Sequence, residues 1–401
     1  MSLKIKIPSY KIINYYYAIA ILAYFSAIYF PFLRVGLLMS LIMCIGIFVL
    51  LKKNKLKINN SLDILVIAYV LYNISTLIFY TFNNLPFSIF FKEFSNSILP
   101  IILFYFFGKL KFDNSFFHIT LYSVFFCFLI SFYYQLTLPM NFMQRINVID
   151  GSGTNPIGYL TQYTSFLGIT ITGSLGAIAI FLAFVMMYVN NFKKGKFFFI
   201  ICALAVILSL RRGAMYTSVF SILFFNLIVL FKSRRKLKLF VFEFIIALIA
   251  IFFLFDLNSE SYLTFTDRFF SLSSAVAERS DSWYDGLSKV SSIVTGDGLG
   301  RYGHKVVGYS KIFIADGNYF KMIGEVGILG TLLFLSILLK VIYTGFLNIY
   351  THYVQLCIIL IVCLQAIGSN VFSMQLIAPI LWYSIGACNK LDYSLMNTKL
   401  R

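Results

Sequence analysis

The sequence predicts an all-α, polytopic integral membrane protein of about twelve transmembrane helices, with one large external loop that contains short helices. Three observations predict it. Of 401 residues, 60% are hydrophobic and 12% charged, about half the charged share of an average soluble domain. The apolar residues gather into segments close to the roughly 20-residue length that a helix needs to cross a bilayer. Basic clusters then fall in every second loop between those segments, the pattern of positive-inside topology. Residues 1–401 read as a single polytopic membrane domain.

In chain order the candidate spans are 14–30, 35–51, 62–80, 94–108, 115–136, 162–189, 197–210, 214–231, 239–256, 320–343, 353–372 and 374–388. The basic clusters are Lys4/Lys6/Lys11, Lys52/Lys53/Lys55/Lys57, Lys109/Lys111, Lys193/Lys194/Lys196, Lys232/Arg234/Arg235/Lys236/Lys238 and Lys390/Lys399/Arg401. About 20 of the 33 basic residues share one side, which assigns that side and both termini to the cytoplasm. The lysines before the first span are followed by no small-residue cleavage site, so that span reads as an uncleaved anchor. In a soluble chain a net charge of +18 would suggest nucleic acid. Here it reads as topology, and no nucleic-acid partner is expected. The cysteines Cys44, Cys127, Cys202, Cys357, Cys363 and Cys388 lie in or beside apolar segments without metal-ligand spacing. Neither a disulfide nor a metal site is expected from them.

The run 197–231 is interrupted by Arg211 and Arg212. As one helix it would be about 52 Å long, too long for a core of roughly 30 Å, and its flanking basic clusters would lie on opposite faces. It is therefore expected to be two spans that fold back at an external Arg211-Arg212-Gly213 tip, with Gly213 supplying the permissive backbone. That placement removes most of the cost, about 2.5–3.5 kcal/mol, of an arginine at mid-bilayer.

Three external segments stand out. Residues 81–97 are amphipathic and are expected to lie on the outer surface. Residues 137–161 carry Arg145, Asp150 and a Gly-Ser-Gly-Thr-Asn-Pro turn. The largest, 257–319, is polar and long enough to be functional. The sequence shows no internal repeat, which argues against transporter folds built from inverted repeats.

Within the large loop, 274–291 has the spacing of an amphipathic helix, with Val276, Arg279, Trp283, Leu287 and Val290 in phase. Arg279 and Trp283, one turn apart, form a cationic clamp beside an aromatic platform suited to an anionic, sugar-bearing lipid. The alternative is an interfacial helix with a snorkelling arginine. Next comes TGDGLGRYGHK, 295–305. No strand precedes it, so a dinucleotide site fails, and it reads as a flexible connector. His304, the one histidine expected outside, is a candidate base; His118 and His352 fall on the cytoplasmic side. Asp316 and Asn318 precede the span 320–343 as helix caps or as chemical groups. Glu325, inside that span, needs a partner or a polar cavity. The outer face thus collects Arg145, Arg211, Arg212, Arg268 and Arg279. Guanidinium groups match phosphate oxygens bidentately, so an outer-leaflet, pyrophosphate-linked lipid is the natural partner. No motif implies a cofactor.

Three stretches resemble the O-antigen polymerase and O-antigen ligase superfamily: Ser209-Leu210-Arg211-Arg212-Gly213-Ala214; Arg279 and Trp283 followed by Gly296-x-Gly298-x-Gly300; and Asp316-Gly317-Asn318-Tyr319 leading to Glu325-x-Gly327-Ile328-Leu329-Gly330. Ligases usually begin the last stretch with His-Asn. Asp316-Gly317 departs from that and leans toward the Wzy-type polymerase branch. The resemblance implies metal-independent glycosyl transfer from one undecaprenyl-pyrophosphate-linked oligosaccharide to another, with no cofactor. It implies Asp316 as base with His304 second, and Arg145, Arg211, Arg212 and Arg279 on the pyrophosphate, Arg212 ahead of Arg211. Trp283 and Tyr319 would stack on sugars. Membrane lipid and a chain-length regulator (a polysaccharide co-polymerase) are the further partners it implies. The alternatives are a ligase that moves the glycan to lipid A core and a non-catalytic flippase of lipid-linked glycan.

Overall fold

The computed structural model describes residues 11–30, 32–52, 58–82, 85–110, 114–137, 163–189, 195–230, 272–303, 314 and 316–389. Their regular structure is helical throughout. The main helices are α1 (Tyr16–Tyr29), α2 (Val35–Lys52), α3 (Ser61–Ser75), α4 (Phe87–Pro100), α5 (Asn114–Thr137), α6 (Ile169–Val189), α7 (Gly195–Leu208), α8 (Arg212–Leu230), α9 (Leu272–Ser288), α10 (Asn318–Leu347), α11 (Ile349–Gly368) and α12 (Ala378–Cys388). Seven runs among the described residues are long and apolar enough to cross a membrane, and four shorter apolar helices accompany them. The protein is therefore a polytopic helical membrane protein. Each predicted span falls on one of these helices except 239–256, which lies outside the described residues.

The chain divides into two compact units, one of residues 1–16, 36–116 and 282–401, the other of residues 17–35 and 117–281. In the first unit, the segment expected on the outer surface is instead part of a long helical run, Phe87–Leu110. Its carboxylate, Glu93, is buried. Pro100 lies inside this run. A proline has no N–H to continue the helical ladder, and the backbone widens into a π turn, Ile101–Tyr105, before Phe106–Leu110 resumes. Tyr105 then donates to Asp63 (2.6 Å). Asp63 also receives Lys109 (2.5 Å) and Asn389 (3.1 Å) and closes a capping box with Asn60 at the start of α3. This saturated cluster ties α3, the end of the 87–110 run and the end of α12.

In the second unit, α6 packs against both α7 and α8. The run 197–231 is broken as the flanking charge requires: α7 ends at Leu208 and α8 begins at Arg212. The residue that turns the chain differs from expectation. Leu210 takes the left-handed conformation (φ 51), whereas Gly213 is helical and an added Cβ would meet nothing within 4 Å. The turn is held by the closing bonds of α7, Ser209 N to Ala205 O (3.1 Å) and Leu210 N to Ile207 O (3.1 Å).

Gly213→Ala should consequently be neutral or stabilising, by up to about 1 kcal/mol from helix propensity. Thermal unfolding in detergent measures this, and a lowered melting temperature would restore Gly213 as the hinge.

Candidate functional site

The site in the first unit starts from a broken helix. At Gly327 α10 leaves helical geometry (φ 69, ψ −179). In an unbroken helix the amides of Ile328 and Leu329 would donate to the carbonyls of Gly324 and Glu325, four residues back. Here they donate to Ile293 O (2.9 Å) and Val294 O (3.2 Å) of the loop that follows α9. The carbonyls so released accept from the same loop: Asp297 N binds Gly324 O and Gly298 N binds Glu325 O, both at 2.9 Å. Tyr72 of α3 completes the junction by donating to Val326 O (3.0 Å) and Thr295 O (3.3 Å).

This exchange needs glycine on both sides. A Cβ on Gly327 would collide with the Val294 carbonyl oxygen. Gly296 (φ 71) lies so close that its Cβ would stand 2.5 Å from the Glu325 carbonyl. Gly298 and Gly300 also have positive φ. The stretch expected to be a flexible connector is therefore built into the fold.

Beneath the loop lies a buried ion cluster. Lys321 reaches Glu93 Oε1 of α4 at 2.5 Å and Glu325 Oε1, one turn along α10, at 3.7 Å. It also donates to Ser373 Oγ (3.1 Å). All three charged side chains are only 3% exposed. Glu325 accepts in addition from Tyr302 N (3.3 Å). The intramembrane carboxylate thus has its partners, a lysine and the loop backbone. Asp297, equally buried, accepts from Ser291 N (3.0 Å) and the Tyr302 hydroxyl (2.5 Å), with Arg301 Nη1 at 3.9 Å. Burial, and then the Asp297 carboxylate, push the Tyr302 phenol well above its ordinary value, so it remains a donor.

Tyr302 packs with Trp283 and Ile314 in a small core. The Trp283 ring stacks on Phe320 (4.3 Å, 16°), and its Nε1 donates to Asp316 O (2.6 Å). Asp316 has a positive φ of 39, a strained conformation for a non-glycine residue and one that often accompanies function. The cap of α10 is Gly317, with no side-chain cap bond. Asn318 is not a cap either: its Oδ1 accepts from Phe372 N (2.8 Å).

The first unit therefore brings Trp283 and Asp316 together, with Tyr319 one turn on. The Tyr319 hydroxyl donates to Cys363 O (3.0 Å). Trp283 and Tyr319 are thus both engaged inside the fold. Arg211, Arg212 and Arg279 belong to the second unit. Arg211 Nη2 donates to Thr170 Oγ1 (2.7 Å), its stem passing close to Gly173, where a Cβ would lie 2.9 Å from Arg211 Cβ. Arg212 opens α8, and Arg279 is half-buried on α9. Arg145, Arg268 and His304 lie outside the described residues. The sequence reading missed Glu93, Asp297, Arg301 and Lys321. For Lys321 a signal existed: its four-residue spacing from Glu325 inside an apolar span.

These features define a class: a polytopic helical membrane protein whose long polar loop closes on a broken span over buried charges. Residues 197–335 match the family described as O-antigen ligase. The match supports the O-antigen polymerase and ligase superfamily, with polymerase-type or ligase-type glycosyl transfer as the general function. It takes in both the turn at Leu210 and the broken half of α10. Comparison with curated proteins gives no match.

Three substitutions probe the junction. Lys321→Met leaves two buried carboxylates without their ammonium and should cost about 3–5 kcal/mol of stability. Combining it with Glu93→Gln should recover part of the loss, which a double-mutant cycle of unfolding measures. Gly327→Ala should cost at least the roughly 1–2 kcal/mol of a left-handed non-glycine residue, read as a lower melting temperature.

Proposed function

We propose that this protein polymerises undecaprenyl-pyrophosphate-linked oligosaccharide repeat units at the outer face of the bacterial cytoplasmic membrane, by metal-independent glycosyl transfer. The observation that carries the polymerase reading is Asp316. A carboxylate, not the histidine usual in ligases, closes the large loop, and it sits at a strained backbone position pinned to the Trp283 indole. In the reaction, the hydroxyl oxygen of the acceptor sugar bonds to the donor's anomeric carbon. The bond from that carbon to the pyrophosphate oxygen breaks, and undecaprenyl pyrophosphate leaves with the electron pair. The hydroxyl proton passes to the Asp316 carboxylate, with His304 the second candidate. Arg145, Arg211, Arg212 and Arg279 offset the charge that develops on the leaving group. Trp283 serves by holding the backbone of Asp316, a positioning role in place of sugar stacking. A chain-length regulator is the partner this reading adds.

A deletion strain should carry single repeat units on lipid A core instead of long chains. Loss of all glycan from the core while lipid-linked polymer accumulates would make the protein a ligase, and repeat units retained on the inner leaflet would make it a flippase. Arg212→Ala, Arg279→Ala and Asp316→Asn should each lower polymer formation by about 10²-fold or more while the protein persists in the membrane. Normal chain length in all three would overturn the proposed site.

A further inference from the structure

The hydropathy pattern assigns 291–300 to the external loop, but its contacts give it a depth. Helices α3 and α10 run antiparallel. Lys340 donates to Ser61, Tyr69 packs on Phe334 (5.6 Å between rings), and Tyr72 bonds Val326 O. Ser61 opens the spanning run Ser61–Thr81 and, with Lys340, marks one end of the pair. Tyr72 is eleven residues from Ser61, and Ile328 twelve from Lys340. At 1.5 Å per residue both lie about 16–18 Å from that end, near the middle of a core roughly 30 Å thick. Thr295, bonded to Tyr72, and Ile293 and Val294, bonded to Ile328 and Leu329, share that level.

The side chains there are apolar and uncovered. Ile293 is 47% and Val294 55% exposed, beside Ile328, Leu329 and Leu332 on the outer face of α10, each more than 40% exposed. Much of the loop backbone is bonded to protein. Gly296 N binds Ser292 O (2.8 Å), Leu299 N binds Thr76 Oγ1 (3.2 Å), and Leu299 O accepts from Tyr80 (2.6 Å). The bonds exchanged with α10 account for the amides of Asp297 and Gly298 and the carbonyls of Ile293 and Val294. Non-helical backbone is tolerated at membrane depth where protein takes up its polar groups, as the run Ser61–Thr81 and α10 do for these.

We infer that residues 291–300 are a re-entrant segment lying within the bilayer, and that Ile293 and Val294 touch the hydrocarbon of membrane lipids. Their exposed surface continues the lipid-facing side of α10. The inference rests on the chain spanning a membrane and not on which glycosyl transfer it performs.

The test uses nitroxide labels on the full chain in phospholipid liposomes, in a background with the exposed Cys44 replaced by serine. Ile293→Cys and Val294→Cys are labelled separately, with Leu332→Cys as the lipid-facing reference and Asn59→Cys as the aqueous one. The ratio of collisions with oxygen to collisions with a charged nickel chelate should match Leu332→Cys and exceed Asn59→Cys by about tenfold or more, since charge is excluded from hydrocarbon. A ratio equal to that of Asn59→Cys at both positions overturns the inference. The unaltered protein gives a second readout: a phospholipid with a photoactivated carbene on its acyl chain should label the peptide holding 291–300, and no label there overturns it too.

Discussion

One exchange of hydrogen bonds governs the first unit. A spanning helix that breaks at a single residue strands several backbone groups, and in hydrocarbon each stranded group costs several kcal/mol. In α10 the break at Gly327 is made good by a loop that arrives with a complementary set of donors and acceptors. Neither partner is stable alone in that form: the loop has no regular ladder, and the helix has a gap. Closing one closes the other, and Asp316 stands just before the helix so completed.

The buried charges follow from the same junction. Lys321 and Glu325 stand on the turns just before the break, and Glu93 reaches them from α4. Two carboxylates and one ammonium are expensive to remove from water unless further donors complete the set. The loop supplies one through Tyr302 N, and Ser373 accepts from the lysine. Packing, charge and backbone thus converge between α3, α4 and α10, where the Trp283 indole also fixes the strained turn at Asp316.

Much of the helical plan is legible in the sequence because apolar length is a strong signal and lysine clusters bound it. The break within 197–231 is inferred from charge alone and is found where expected. The finer features escape for definite reasons. Gly213 looked like the hinge because glycine turns easily, but it lies within α8, and Leu210, whose amide closes the end of α7, takes the left-handed conformation instead. Glu93 looked like surface because its segment is amphipathic; its polar side faces a lysine 228 positions away in sequence, which periodicity cannot reveal. The alternating glycines looked like a flexible connector because the collisions they avoid are with the backbone of α10. Trp283 and Asp316 are found by residue type, and their mutual contact only by the fold.

That contact also makes the protein its own optical instrument. The chain has 2 tryptophans. Trp382 is only 2% exposed, sealed in the core, so its emission has little reason to follow events at the loop. Trp283 differs, because its indole N–H is bonded to the carbonyl of Asp316 and its ring lies on Phe320. A rearrangement at the carboxylate that ends the loop alters the polarity felt by that one ring. Unlabelled protein therefore carries a fluorescent signal, native to its sequence, at the residue where the glycosyl acceptor is proposed to lose its proton.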